Sequence, residues 1–314
     1  MNALTKGILF VAFGASSYGM LATFVKLAYQ NGYTTAEVTI SQFLLGIIIV
    51  SFLNYFFTKN TPKASKSDIK KLMISGTSMG FTSVLYYLCV KYLNASVAVV
   101  LLMQSVWIGV LIETIQTRKI PSTNKIIAVI MVLFGTLLAT NSLSSEMELN
   151  TTGLLFGILS SISFSMTLFT TNSVATHLAP FKRTLYMLFG GAIIVFIFAF
   201  ITQLAPTYLN INLLKNSDIS VIKSFDWNIL YTYGLLLSLF GTVLPPIFLN
   251  KGFPLTGVGI GSIVSAIELP VSATFAFLVL SEPVVAIQWL GIFIILVAIV
   301  LMNIQWKNKL KSLV

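Results

Sequence analysis

Residues 261–275 read GSIVSAIELPVSATF and place one carboxylate, Glu268, in the middle of an apolar run from about Gly257 to Leu280. An ionised carboxylate at the centre of a bilayer costs about 2.5 to 3.5 kcal/mol on insertion scales, so a glutamate there has to face a cavity or carry a proton. Three chemistries are open to it. A neutral Glu268 can take a proton from one side of a membrane and release it on the other. An ionised Glu268 can pair with the amino group of a zwitterionic substrate. A protonated Glu268 can instead hydrogen-bond a neighbouring helix and hold the packing ahead of Pro270.

Other polar residues recur at helical spacing in equally apolar surroundings. Gln104 precedes Trp107 by three residues, hence on one helical face; an amide and an indole near a carboxylate suit a small, partly apolar metabolite, although a lone Trp also suits a lipid-facing surface. Ser160, Ser163, Thr167 and Thr170 form a stripe, with Ser17 and Tyr18 at the matching places of an earlier run. Hydroxyls in lipid satisfy nearby backbone or bridge helices, and as a set they make a wall facing a pore. Pro245 and Pro246 together should bend or break their helix. Freed carbonyls are tolerated at membrane depth only against protein or water, which puts this pair beside a solute path or makes it a simple kink. Cys89 is the single cysteine, so no internal disulfide can form. The lone His177 is expected in solvent, away from any carboxylate, so no metal site and no cofactor are expected. The glycines of GVGIG, 257–261, do not open a strand-turn-helix unit and are not a dinucleotide fingerprint. Like Gly76 with Gly80 and Gly153 with Gly157, they give the four-residue spacing that lets helices approach closely.

The elements that carry these residues follow from composition. Hydrophobic residues make up 56% of the 314, charged residues only 9%, and the mean hydropathy is +0.93, against about 25% charged residues in a soluble domain. About 20 apolar residues cross a bilayer as a helix. Such runs occur at roughly 6–28, 36–57, 70–90, 95–115, 124–141, 152–175, 184–204, 227–250, 257–280 and 285–305. The connections are too short for a soluble catalytic domain, and no paired acid, histidine or nucleophile constellation lies in the runs, so an enzyme is not expected. The net charge of +10 follows the loops. With the N-terminus inside, only Lys26, Lys91, Lys215 and Lys223 of the 19 basic residues fall outside, the bias of a membrane protein whose termini are both cytoplasmic. The basic loops lack interleaved aromatics, so nucleic acid is not an expected partner.

The runs also repeat. GILFVAFGASSYGM from Gly7 aligns with GLLFGILSSISFSM from Gly153, and QSVWIGVLIETIQTRKIP from Gln104 overlays ELPVSATFAFLVLSEPVV from Glu268. The layout is an all-α membrane protein of ten helices in two five-helix repeats, 1–145 and 146–314. Five is odd, so the second repeat is expected inverted, as in many secondary transporters. Arg118 inside and its counterpart Glu282 outside agree with that inversion.

The stretch GVGIGSIVSAIELPVSATFAFLVLSEPVVAIQWLGIFIILVAIVLMN resembles the drug/metabolite transporter superfamily, specifically its EamA-type members. The likeness lies in Glu268 near Pro270, Glu282 with Pro283, and Gln288, Trp289 and Gly291 opening the last span. This chain departs from the pattern at Gln104 and Arg118 and in a longer outside segment, 205–226. The resemblance implies a secondary active transporter of the bacterial inner membrane. It implies a small-molecule substrate, with export of an amino acid or related compound expected ahead of uptake of a vitamin-like compound; with no ATP-binding motif in the sequence, the energy source is expected to be a proton gradient or the substrate's own gradient. A receptor or assembly factor on the same scaffold is the alternative.

Overall fold

The computed structural model describes residues 2–59, 61–118, 120–140, 150–214 and 219–303. The expected repeat boundary after residue 145 and the lysines Lys119, Lys215, Lys307, Lys309 and Lys311 lie outside them. Twelve α-helices carry the described chain: α1 (Ala3–Gln30), α2 (Thr35–Phe57), α3 (Lys66–Tyr92), α4 (Ala95–Leu102), α5 (Ser105–Thr117), α6 (Thr123–Ala139), α7 (Thr151–Ser173), α8 (Pro180–Ala199), α9 (Gly234–Ser238), α10 (Leu244–Ser265), α11 (Glu268–Leu280) and α12 (Ala286–Asn303). No strand occurs among the described residues. Six helical stretches are long and apolar enough to cross a membrane, among them Ala3–Gln30, Thr151–Thr170 and Pro180–Leu209, and four shorter apolar helices accompany them.

Local sequence sets the helix starts. Thr34 accepts from the Glu37 amide while the Glu37 carboxylate accepts from the Thr34 amide, and Ser65 with Asp68 does the same for α3. Each such capping box satisfies donors that the first helical turn leaves without partners.

Glycines set how the helices meet. A Cβ on Gly76 would run into the Met187 carbonyl, and one on Gly190 into the Met73 carbonyl, so α3 and α8 touch backbone to backbone at two reciprocal points. Gly80 packs on Gly191 in the same interface. Gly7 and Gly252 do the same between α1 and α10, and Gly135 and Gly291 between α6 and α12. Gly153 and Gly157 meet Leu93, Leu101 and Cys89, bringing α7 onto α3 and α4. Without a hydrophobic force between helices in lipid, such close approach supplies the packing energy. The contacts of Gly257 and Gly261 lie outside the described residues.

Four expectations are corrected. The fourth apolar run is two helices, α4 and α5, parted at Met103 and Gln104, where Gln104 and Val106 donate their amides to Leu101 and Met103, three residues back. The ninth run is likewise parted: α10 continues through Lys251 without a loop, and the turn comes at Ala266 and Ile267, where Ile267 and Leu269 donate to Val264 and Ala266. A hydropathy plot is blind to such turns because tight i to i−3 bonds keep the backbone satisfied in apolar surroundings. Third, Pro245 and Pro246 do not break their helix. The π-helical stretch Leu239–Val243 precedes them, with the Leu244 amide reaching five residues back to Leu239, and this widening relieves the clash of two rings with the preceding turn. Fourth, His177 has a carboxylate beside it: its Nε2 lies 3.5 Å from Asp68 Oδ2. Among the described residues no group of three or more potential ligands gathers for a metal.

Candidate functional site

Glu268 is the first residue of α11, directly after the turn at 266–267, and it is buried. Its position at a helix break, rather than in mid-helix, frees it from the neighbours a continuous helix would supply. No described residue donates a hydrogen bond to its carboxylate. Gly19 on α1 brings the two backbones together: a Cβ there would lie 2.7 Å from the Glu268 carbonyl and 3.2 Å from the Ser272 amide. Ser272, one turn along α11, and Thr23, one turn along α1, both hold buried hydroxyls without a hydrogen-bond partner. Tyr18 of α1 and Tyr86 of α3 lie within electrostatic reach of the carboxylate. Tyr87 of α3 donates its hydroxyl to the buried Gln42.

The remaining expected residues gather elsewhere. Gln104 follows Met103, which ends α4, and stands at the N-cap position of α5, at the counterpart of the Glu268 break. Its amide donates to Thr136 Oγ1 at 2.6 Å and to the Val100 carbonyl at 3.1 Å, and accepts from Trp107 Nε1 at 3.0 Å. The pair therefore ties the break to α6. Ser163 donates to the Ser78 carbonyl at 2.7 Å, and Thr167 Oγ1 lies 2.8 Å from Ser78 Oγ, so both join α7 to α3. Ser17 donates to Phe13 in its own helix. Pro246 borders a small cavity of about 50 Å³ with Val50, Phe181 and Val243; Pro245 is buried.

Two further carboxylates matter to the architecture in ways that the sequence did not show. Glu37 is fully buried yet fully engaged: it accepts from the amides of Thr34 and Asp226, both at 2.8 Å, and from Gln203 Nε2 at 3.0 Å, and lies 3.6 Å from Lys223 Nζ. It thereby pins the π-helical stretch Phe200–Leu209, which extends α8, and the returning segment 219–226 onto the start of α2. Glu282, noted from sequence for its family likeness and as the counterpart of Arg118, accepts from the Ala95 amide at 3.0 Å and from Ser96 at 3.4 Å. The left-handed Ser281, with φ of 55°, ends α11 and turns Glu282 back onto the start of α4. Arg118 ends α5 in the same way, with φ of 53°. Gln288 donates to the Ala139 carbonyl at 3.1 Å, joining α12 to the end of α6 beside the Gly291 contact.

The sequence model of the EamA-like transporter family matches residues 5–141 and, a second time, residues 151–304. The chain belongs to the EamA-like transporter family. It is thus a multi-pass membrane protein of the drug/metabolite transporter superfamily, built from two repeats of one family unit. The conspicuous residues of this EamA-like chain have plain structural work: Glu282 caps α4, Gln288 bridges two helix ends, and Gly291 permits a close crossing. A solved crystal structure, described only as that of a protein, matches with a TM-score of 0.61 over 95% of this chain and 95% of its own at 12% identity, which shows the fold alone. No curated protein matches the sequence.

Proposed function

We propose that this EamA-like protein is a secondary active transporter that exports a small amino-acid-like metabolite by alternating access, with protons as the coupling ion. The halves 1–145 and 146–314 would be inverted five-helix repeats rocking about a mid-membrane site, in a bacterial inner membrane with both termini cytoplasmic. The observation that carries this reading is Glu268: a buried carboxylate at a helix break, without a donor from any described residue, flanked by buried hydroxyls of Thr23 and Ser272 that also lack partners. Burying an unsatisfied polar atom costs about 1 to 3 kcal/mol. Two such hydroxyls, Thr23 and Ser272, on facing helices beside the Glu268 turn are therefore groups held ready for something that enters and leaves. The carboxylate suits an amino group or a proton, and the hydroxyls suit the polar end of the same solute. Matching helices further support the inverted layout: α5 and α11 are both 13 residues long, both follow a mid-span turn, and both end on a left-handed residue. Tyr18 would border the site, while Ser17, Gln104, Trp107, Ser163, Thr167 and the widened helix at Pro245 and Pro246 would lie in the halves that move, away from Glu268 itself.

A mixed pool of amino acids, vitamins and nucleobases loaded into proteoliposomes tests the substrate class. Mass spectrometry of what leaves should show loss of amine-bearing compounds. Loss of nucleobases alone would refute the assignment of Glu268 to an amino group.

A further inference from the structure

Two of the broken helices run side by side to one end of the bundle. α4 starts at that end and reaches the turn at Met103, while α11 starts at Glu268 and returns to it. The two pack against each other, every residue of α4 is buried, and they come from different repeats. Glu282 joins them at the end. Its carboxylate, itself buried, accepts from the Ala95 amide at 3.0 Å and from the Ser96 amide and hydroxyl, both at 3.4 Å. These are the first amides of α4, donors that a helix leaves without partners unless a cap supplies an acceptor. The residue in the cap position is Asn94, a type among the best capping side chains, yet it makes no side-chain capping bond. Glu282, from the other repeat, stands in its place.

The turn before α4 is held differently. Lys26 of α1 donates to the carbonyls of Val90 and Leu93 at 2.9 and 2.8 Å, which ties the end of α3 within its own repeat. The bonds of Glu282 are therefore the ones that parting of α4 from α11 would break. The opposite end cannot carry the same device. In the overlay of the two repeats Arg118 takes the place of Glu282; it is exposed, and a guanidinium has donors only, so it accepts nothing from a helix start.

We infer that Glu282 and Asn94 form a gate switch, in which Glu282 caps α4 while this end of the path is shut and Asn94 caps it when α4 and α11 part. The inference rests on the alternating access proposed above, with the solute passing between α4 and α11 on its way from Glu268 to this end. Asn94 can accept from the amides that Glu282 releases, so parting strands no backbone donor, and the two states differ by the exchange of one cap for another. Loss of either cap shifts such an equilibrium about five- to tenfold, in opposite directions. With no matching acceptor at Arg118, the switch biases the resting protein towards closure at the Glu282 end.

The test reads access to Ser272, one turn from Glu268, without flux. The full chain carrying Cys89→Ser and Ser272→Cys is reconstituted in vesicles, and its rate of reaction with a small membrane-impermeant thiol reagent is measured from each side. The Glu282 side is the one from which Ile222→Cys reacts, since the neighbouring Lys223 donates to the Gly32 carbonyl just beyond α1. Glu282→Ala should speed reaction from that side about five- to tenfold, and Asn94→Ala should slow it by a similar factor. The rate from the other side should change little in both, because the state open to that side already dominates. Glu282→Gln, which keeps an acceptor oxygen, should fall between Glu282→Ala and the unsubstituted gate. Acceleration by both substitutions, equal acceleration from both sides, or rates that ignore them would make Glu282 a structural cap and overturn the inference, leaving the proposed transport untouched. No reaction at position 272 from either side in any variant would refute the path at Glu268, and the inference with it. If Glu282→Ala does not fold, the slowing in Asn94→Ala decides alone.

Discussion

Glu268 and Glu37 are both buried glutamates, and their surroundings predict opposite mutational behaviour. Glu37 is saturated with donors, so Glu37→Ala strands two amides, a carboxamide and an ammonium; removing one member of a buried, charged network costs about 3 to 5 kcal/mol. Thermal unfolding in detergent should show a clear fall in the midpoint. Glu268→Gln, with no protein donor to lose, should leave that midpoint nearly unchanged while abolishing net transport. Ser272→Ala, which removes a buried hydroxyl without a partner, should be neutral or slightly stabilising yet lower the flux. A fall in stability without a fall in flux would instead make Ser272 a packing residue. Of these three, only Glu268 could be picked out from sequence, because a charge amid 20 apolar residues contradicts its own hydropathy. Ser272 and Thr23 are invisible that way, since small hydroxylated residues are common in membrane helices and only coordinates tell whether the hydroxyl is bonded. Glu37 sits at the end of a run, where a charge is unremarkable.

At the scale of elements, most helices could be placed from apolar runs to within a few residues, and the failures share one cause. A run reports burial in lipid and says nothing of where the axis turns. The breaks at Met103 and Ala266 and the π-helical widening before Pro245 keep their backbone bonds by shifting the hydrogen-bond register, so composition does not change across them. Glycine spacing was legible, since only residues without a side chain allow backbones to touch, but the partner of each glycine was not. Gly76→Val illustrates the consequence: its Cβ would occupy the place of the Met187 carbonyl, and no side-chain rotation relieves a clash with backbone. At least about 3 kcal/mol of destabilisation is expected, seen as aggregation or loss of the monodisperse peak in gel filtration. Glu282→Ala removes the cap that α11 supplies to α4. A lost cap costs about 1 to 2 kcal/mol, so this variant should fold with a modestly lowered midpoint.

For the whole molecule, two matches of one family unit make the internal repeat firm; the sequence alignment paired Gln104 with Glu268 but gave no sign of the helix break at which each stands. The pairing of helices across the halves was not legible, because it depends on which glycine meets which backbone. The proposed orientation, read from the basic loops, has its own test. In a Cys89→Ser background, Lys63→Cys should react with a membrane-impermeant thiol reagent only from the cytoplasmic side, and Ile222→Cys, at an exposed position, only from the other. The reverse pattern would turn the proposed direction of export around. Transport coupled at Glu268 is the central claim, and the most direct measurement is flux of the identified substrate from proteoliposomes, with and without an imposed pH gradient, for the unsubstituted chain and Glu268→Gln. The account predicts gradient-driven flux that Glu268→Gln loses while remaining folded. Unchanged flux with unchanged pH dependence in the folded variant would contradict it.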